Sequence, residues 1–384
     1  MKERIQKKYV TIVNRHYPPN PGITGESAWD LAKYLIDNHD VEVRIVCIKK
    51  NDEGGGAIRK PVGKVYAIPT LYKGKHSVFK SVAGITDGLL LILTSLFVRK
   101  GKIICMTSPP LLPFWASLFY RLFRVKWFFW SMDLFPEAFA AAKKMEPHSW
   151  LYKIILNITY SYKPELLISL GPNQCKYILN HYKAKPEFVI LPCGVFIEYA
   201  KDTTTPDWAK HDGKIIFGYC GNLGTPHSVE FLKSFIECMN PSRHHLVLAL
   251  YGIHAQEILS FAKNKSSISI VPQVPRTLLH HIDVHLVSLL PEFNHTAVPS
   301  KGMSAICTGG TMLFCGTTDS DTWHLLKDAS WLIDLKMDMK EQLEIFFASI
   351  THEVLAGYKS KSLPLANSLY DMQMQAYAKI YRCL

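Results

Sequence analysis

Lys301 is the residue whose placement most needs a chemical reason. It follows Ala297-Val298-Pro299-Ser300 and falls in the first turn of a helix-like segment. The start of a helix carries partial positive charge, so a cation there is unfavourable unless an anion sits against it. A bound anion would resolve the conflict. Earlier in the chain, Gly218-Tyr219-Cys220-Gly221-Asn222-Leu223-Gly224-Thr225-Pro226-His227 closes a strand and opens a helix. Glycines in such a turn let backbone N–H groups approach a phosphate closely.

The first half holds a second loop of this kind, His16-Tyr17-Pro18-Pro19-Asn20-Pro21-Gly22-Ile23-Thr24-Gly25-Glu26-Ser27. Its spacing is neither GxGxxG nor a P-loop, so it does not support the usual dinucleotide or ATP sites. The plain alternative is a long Pro/Gly turn with a helix cap. Two further strands end in Thr107-Ser108-Pro109-Pro110 and in Met132-Asp133-Leu134-Phe135-Pro136-Glu137. Ligands of parallel sheets sit beyond the carboxyl ends of strands. There, Asp133 and Glu137 could act on an acceptor hydroxyl or orient it. The alternative is that Asp133 caps a turn and Glu137 is a solvated helix residue.

Short β-rich runs alternate with helix-like segments and so position these loops, as in a mostly parallel sheet with crossover helices. Strands are expected at Tyr9–Asn14, Val41–Ile48, Val65–Pro69, Ile103–Thr107, Lys126–Met132, Leu166–Leu170 and Phe188–Leu191. Glu26–Asn38 has helical periodicity, with Trp29, Leu31, Ala32 and Leu35 near one face. Glu198–Asp212 is polar and reads as a linker. Strands resume at Lys214–Tyr219, His245–Leu250, Ile268–Val271, Val284–Leu289, Met312–Cys315 and Trp331–Asp334, and Leu365–Tyr381 reads as a terminal helix. The expected organisation is an N-terminal domain over 1–197, a C-terminal domain over 198–364 and a closing helix over 365–384.

At 384 residues, two domains are the natural expectation. The net charge of +12 is uneven. Residues 1–200 hold 28 Lys/Arg against 15 Asp/Glu, while 201–384 hold 16 against 17. Such a basic half implies a polyanionic partner. Zinc-finger and RNA-binding signatures are missing from the sequence, so an anionic membrane surface is preferred to nucleic acid. Pro109, Pro110 and Pro113 interrupt the uncharged stretch Ile103–Tyr120, which argues against a spanning helix. Gly88–Val98 is short and suits a buried or interfacial helix. Trp115, Trp127, Phe128, Phe129 and Trp130 could supply interfacial aromatics, with core packing of the Lys126–Met132 strand as the alternative for some. Nine scattered cysteines lack metal-ligand spacing and fit a reducing compartment. The basic start at Met1–Val10 is not followed by a signal-peptide core, so a cytoplasmic location is expected.

In this order, these segments resemble the retaining family-4 glycosyltransferases of bacterial capsule and O-antigen synthesis. The resemblance spans about residues 9–327 and also takes in Val271-Pro272-Gln273-Val274-Pro275-Arg276 and Val298–Lys301. It implies an α/β GT-B fold, two Rossmann-like domains facing a central cleft, with the acceptor on the N-terminal domain. The C-terminal domain would hold a UDP- or GDP-type nucleotide sugar, without cofactor or required metal. Carried over, donor binding falls to Gly22, Gly25, Asn222, Gly224, His227, Val274, Arg276, Ser300 and Lys301. The acceptor side falls to Glu26, Ser108 and Asp133, and catalysis to Asp133, Glu137 and Lys301. The implied acceptor is a saccharide on polyprenyl diphosphate, which would place the enzyme peripherally at the inner face of the plasma membrane. The family carries a glutamate three residues after the Pro-Ser-Lys lysine and another eight residues before that glutamate; here those positions hold Ser304 and Thr296. Two other readings remain: a degenerate, non-catalytic binding protein, and a nucleotide-sugar epimerase of the same fold.

Overall fold

Strands form where β-branched and aromatic residues run between turn residues, and full burial of those runs demands cover on both faces. A computed structural model describes residues 7–20, 22–49, 59–70, 77–196, 202–211 and 213–384, with backbone alone for 77–82. Pro21, Lys80's side chain and much of the expected linker, 198–201 and 212, lie outside the described residues. The chain divides into two compact units, Met1–Cys193 with Gln373–Leu384, and Gly194–Met372.

Unit 1 is a parallel sheet in the order β3-β2-β1-β4-β5-β6-β7. Its strands are β1 Tyr9–Val13, β2 Glu42–Ile48, β3 Lys64–Ile68, β4 Lys102–Cys105, β5 Trp127–Trp130, β6 Leu166–Ser169 and β7 Glu187–Ile190. The crossovers include α1 Ile23–His39, α2 Ser77–Val98, α3 Leu112–Leu122, α4 Glu137–Ala141, α5 Trp150–Thr159 and α6 Pro172–His181. Ile103, Cys105, Tyr120, Trp127, Phe129 and Leu167 anchor the core on one side of the sheet.

Unit 2 repeats the plan with the order β10-β9-β8-β11-β12-β13. It contains β8 Ile215–Asn222, α7 Val229–Cys238, β9 His244–Tyr251, α8 Ala255–Ala262, β10 Ile268–Ile270 and β11 Val284–Ser288. Then come α9 Ser300–Cys307, β12 Thr311–Gly316, α10 Asp321–Leu326, β13 Ser330–Asp334 and α11 Met339–Ser349. Phe217, Phe235 and Phe347 pack edge to face or tilted, with centroids 5.0–5.9 Å apart, an arrangement that adds to simple burial. The last helix, α12, runs His352–Cys383 and carries Pro364 inside it.

Each expected strand coincides with an observed one, and the two doubly wound parallel sheets are those expected. One expectation changes, and one open alternative is decided. The terminal helix starts at His352, not Leu365: it runs through Pro364, and because Ser360 and Pro364 are exposed, the Ser360 carbonyl that the proline cannot bond is left to solvent. Trp127, Phe128, Phe129 and Trp130 are buried within β5, since that strand is central and covered on both faces. For these four the core-packing alternative holds. Trp115 is half-buried and donates Nε1–H to the Ile85 carbonyl at 3.0 Å. Among the described residues, no helix is long and apolar enough to cross a membrane, and the nine cysteines are free thiols.

Candidate active site

In unit 2 the strand order reverses beside β8, with β9 on one side and β11 on the other. In sheets of this kind the loops leaving the carboxyl ends of the strands diverge at such a reversal, which is the usual ligand position. The end of β8 supplies Asn222, Gly224 and His227, while β11 ends at Ser288. Gly224 lies against Asn222 and its carbonyl accepts the His227 N–H at 3.0 Å. Gly252 closes the turn behind them: with φ at +108°, any Cβ there would fall 2.1 Å from Asn222 Oδ1.

Lys301 is the second residue of α9 and reaches back to this loop. Its ammonium donates to the Tyr219 hydroxyl at 2.8 Å and to the Asn222 carbonyl at 2.9 Å. It lies 4.1 Å from the centroid of the Tyr219 ring and 3.4 Å from His227 Nε2. His227 Nδ1 is 2.6 Å from the Ser288 carbonyl, which can only accept. Nδ1 is therefore assigned the proton, and Nε2 turns a lone pair toward Lys301. Desolvation, helped by the Lys301 charge, pulls His227 down to about 3, so the imidazole stays neutral. Desolvation also pulls Lys301 down to about 7. Among the described residues no carboxylate comes within 4 Å of this ammonium. A half-buried cation held by neutral atoms beyond a strand end is an arrangement that can take an anion.

Ser300 opens α9 and packs on Gly194. Arg276 stacks its guanidinium 4.4 Å from the Phe196 ring centroid, and the Phe196 N–H is 3.5 Å from Cys307 Sγ on α9. Val274 instead packs among Trp208, Ile216, Val247 and Ile282. Its side chain is spent on that apolar cluster. The hydroxyls that replace the family's glutamates are engaged by backbone carbonyls: Ser304 donates to that of Gly194 at 3.3 Å, and Thr296, buried, to that of Phe293 at 3.2 Å.

In unit 1 the order reverses beside β1. Asn14 ties the following loop to α1 by donating to the His16 carbonyl at 2.7 Å and to Thr24 Oγ1 at 3.2 Å. Gly22 caps α1 with φ at +145°, and Gly25 lets the first turn lie directly on the His16 backbone. Glu26 is buried, 3.9 Å from an Arg59 guanidinium that pairs with Asp30 at 2.5 Å. The Ser108 carbonyl accepts the Arg15 N–H at 2.7 Å, and Thr107 Oγ1 accepts the Met132 N–H at 3.2 Å. These bonds fasten the ends of β1, β4 and β5 together.

Asp133 and Glu137 part company. Asp133 is exposed just beyond β5. Glu137 is buried and its Oε1 accepts from the hydroxyls of Tyr160 at 2.6 Å and Tyr177 at 3.3 Å. Burial raises its carboxyl above the usual range. Glu137 is thus held by two tyrosine hydroxyls, while Asp133 faces solvent. Sequence reasoning missed Tyr219, Ser288 and Arg59 as site residues. Alternation along β8 was the available signal for Tyr219; pairing with Glu26 and Asp30 could be seen only in the fold.

No protein-family model matches the sequence, and no curated protein matches it by sequence. Solved structures do match. WaaG, a glycosyltransferase involved in lipopolysaccharide biosynthesis, aligns over 96% of this chain and 98% of its own, with a TM-score of 0.68 and 14% identity. Sucrose-phosphate synthase from Thermosynechococcus elongatus aligns over 98% of each chain, with a TM-score of 0.74 and 10% identity. An alpha,alpha-trehalose-phosphate synthase (UDP-forming) from Burkholderia vietnamiensis covers 99% of this chain and 98% of its own, at 0.67 and 12%. The chain has the GT-B fold that these glycosyltransferases share.

Proposed function

We propose that this chain is a glycosyltransferase that takes a sugar from a UDP- or GDP-type nucleotide sugar. One observation carries the reading: the Lys301 ammonium, with no carboxylate within 4 Å among the described residues, held beyond the end of β8 by Tyr219, Asn222 and His227. In this reading Lys301 and the backbone around Asn222–Gly224 face the donor diphosphate. As the glycosidic bond breaks, negative charge grows on the leaving diphosphate, and a preorganised cation stabilises it more than it stabilises the ground state. Lys301 supplies that charge without calling on a divalent metal. The carry-over from the family gives retention of configuration, by front-face attack of an acceptor hydroxyl. Unit 1 receives the acceptor near Asp133 and Ser108, and the family's acceptors point to a lipid-linked saccharide in surface-polysaccharide synthesis, at the inner face of the membrane.

The test is thermal unfolding with UDP-, GDP- and dTDP-sugars, followed by transfer assays with the stabilising donor. A donor at 100 times its dissociation constant adds about 2.7 kcal/mol. Lys301→Ala should lower kcat/KM by about 2–4 kcal/mol, the scale of one lost preorganised donor. Its midpoint without ligand should hold. Wild-type transfer rates in that variant would defeat the assignment. A second reading, a non-catalytic nucleotide-sugar-binding protein, is favoured by Ser304 and Thr296, whose hydroxyls bond the backbone carbonyls of Gly194 and Phe293 where the family has glutamates. Donor stabilisation without turnover on any acceptor would establish it.

A further inference from the structure

The large exposed apolar side chains of unit 1 are concentrated on two helices that pack against each other, α3 and α5. On α5, Ile155 and Thr159 turn inward, while Trp150 is 73% exposed and Leu151 and Ile154 are also exposed. On α3, Leu112, Ala116 and Tyr120 turn inward, while Leu118 and Leu122 face out, with Phe123 just beyond. Both helices are thus apolar on the face away from the core as well as toward it. Ordinary surface helices place polar residues there. An apolar patch of this kind marks an interaction surface.

The charges around it identify the partner. Between residues 97 and 163 there are ten Lys/Arg and three Asp/Glu, and of the ten Lys100, Lys102 and Lys126 are paired with Glu42 and Glu165 from outside that stretch. Of the three acids Glu137 is buried, and Asp133 and Glu146 remain. Arg121 and Arg124 flank Leu122 and Phe123, Lys153 lies between Trp150 and Ile154 on α5, and all three are exposed. Among the described residues none of these three has a carboxylate within 4 Å. A second copy of the chain would bring cationic rims face to face, which repel. A nucleic acid would leave the aliphatic centre without a partner. An anionic bilayer satisfies both parts at once: acyl chains take the apolar centre, Trp150 suits the headgroup level, and phosphates meet the rim.

We infer that the outward faces of α3 and α5 dock this chain on an anionic lipid surface. The inference stands on this surface alone and does not depend on the transfer reading. Binding should have two components. The cationic rim gives a part that salt removes, and insertion of Trp150, Leu122, Phe123 and Ile154 gives a part that persists.

Co-sedimentation of the full chain with vesicles of phosphatidylcholine, with and without phosphatidylglycerol, tests it at low and high salt. Replacing Arg121, Arg124 and Lys153 with Gln should weaken binding to anionic vesicles about a hundredfold at low salt, at roughly fivefold per removed charge. Leu122→Ser with Phe123→Ser, Trp150→Ser and Ile154→Ser should abolish the salt-resistant part. These positions are exposed, so the unfolding midpoint should stay within a few degrees in both variants, a condition checked by circular dichroism. The fluorescence of wild type should shift to the blue on anionic vesicles, and Trp150→Phe should remove most of that shift. Equal binding to neutral and anionic vesicles, or unchanged binding by folded variants, would overturn the inference. So would a stable dimer in sedimentation equilibrium that the apolar substitutions dissociate, for the face would then belong to a second copy.

Discussion

At the residue scale, the site turns on a lysine whose charge is held at the margin of stability. In the free protein desolvation brings Lys301 from 10.5 down to about 7. Between those values the folded protein binds fewer protons here than the unfolded chain. This group therefore lowers stability below pH 7, and the penalty is relieved as pH rises toward 10.5. A diphosphate beside the ammonium favours the charged form and reverses the shift. Donor binding at pH 8 should thus take up close to one proton, and affinity should fall as pH rises from 7 to 9, by at most about tenfold per unit. Titration calorimetry at pH 8 in two buffers of different ionisation enthalpy measures the uptake directly. Lys301→Arg, charged throughout, should show none. Equal heats in the two buffers for the wild type would remove Lys301 from the diphosphate. The dipole conflict made this lysine legible in the sequence. Its partners were not, because Tyr219, Ser288 and the lone pair of His227 converge only when β8 and β11 lie side by side. The inward turn of Glu137 was equally hidden, since it depends on Tyr160, just after α5, and on Tyr177 of α6.

At the scale of elements, the strands could be read because each is a short apolar run bounded by turn residues and covered on both sides. Helix limits were harder. Nothing local announces that Pro364 would face solvent and leave α12 intact, and the apolar outer faces of α3 and α5 merge in the sequence with their buried faces. The loop from β1 to α1 shows how one glycine sets an element's position. Gly25 sits in the first turn of α1, and a Cβ there would lie 3.0 Å from both the carbonyl carbon and the oxygen of His16. Backbone atoms cannot rotate aside as a side chain can. Alanine would gain about 1 kcal/mol of helix propensity, yet α1 would have to shift away from the loop. Gly25→Ala should therefore destabilise the protein by about 1–3 kcal/mol, the usual cost of overpacking. Urea unfolding measures this. An unchanged or raised midpoint would show that α1 moves freely against the loop, and that Gly25 is not what fixes the Gly22–Glu26 segment.

At the scale of the whole molecule, each unit has its own doubly wound sheet and its own core, and the chain's last segment belongs to the first of them. Ala376 and Ile380 are fully buried there. Lys8 donates to the Tyr381 carbonyl at 3.0 Å, Lys102 to the Cys383 carbonyl at 2.6 Å, and His39 stacks on Tyr381 at 3.8 Å. The end of α12 is thus as much a part of unit 1 as its strands are. Ile380→Ala leaves a cavity in that packing and should cost about 2–5 kcal/mol. The loss should fall on unit 1. Hydrogen exchange read by mass spectrometry at rising urea resolves it: peptides from β1, β4 and β5 should lose protection, while those from β8, β11 and β12 keep theirs. A saturating nucleotide sugar should do the converse, protecting the unit 2 peptides by about 2.7 kcal/mol at 100 times its dissociation constant. If both peptide sets move together in both experiments, the units unfold as one cooperative body, and stability cannot be assigned to two separate cores.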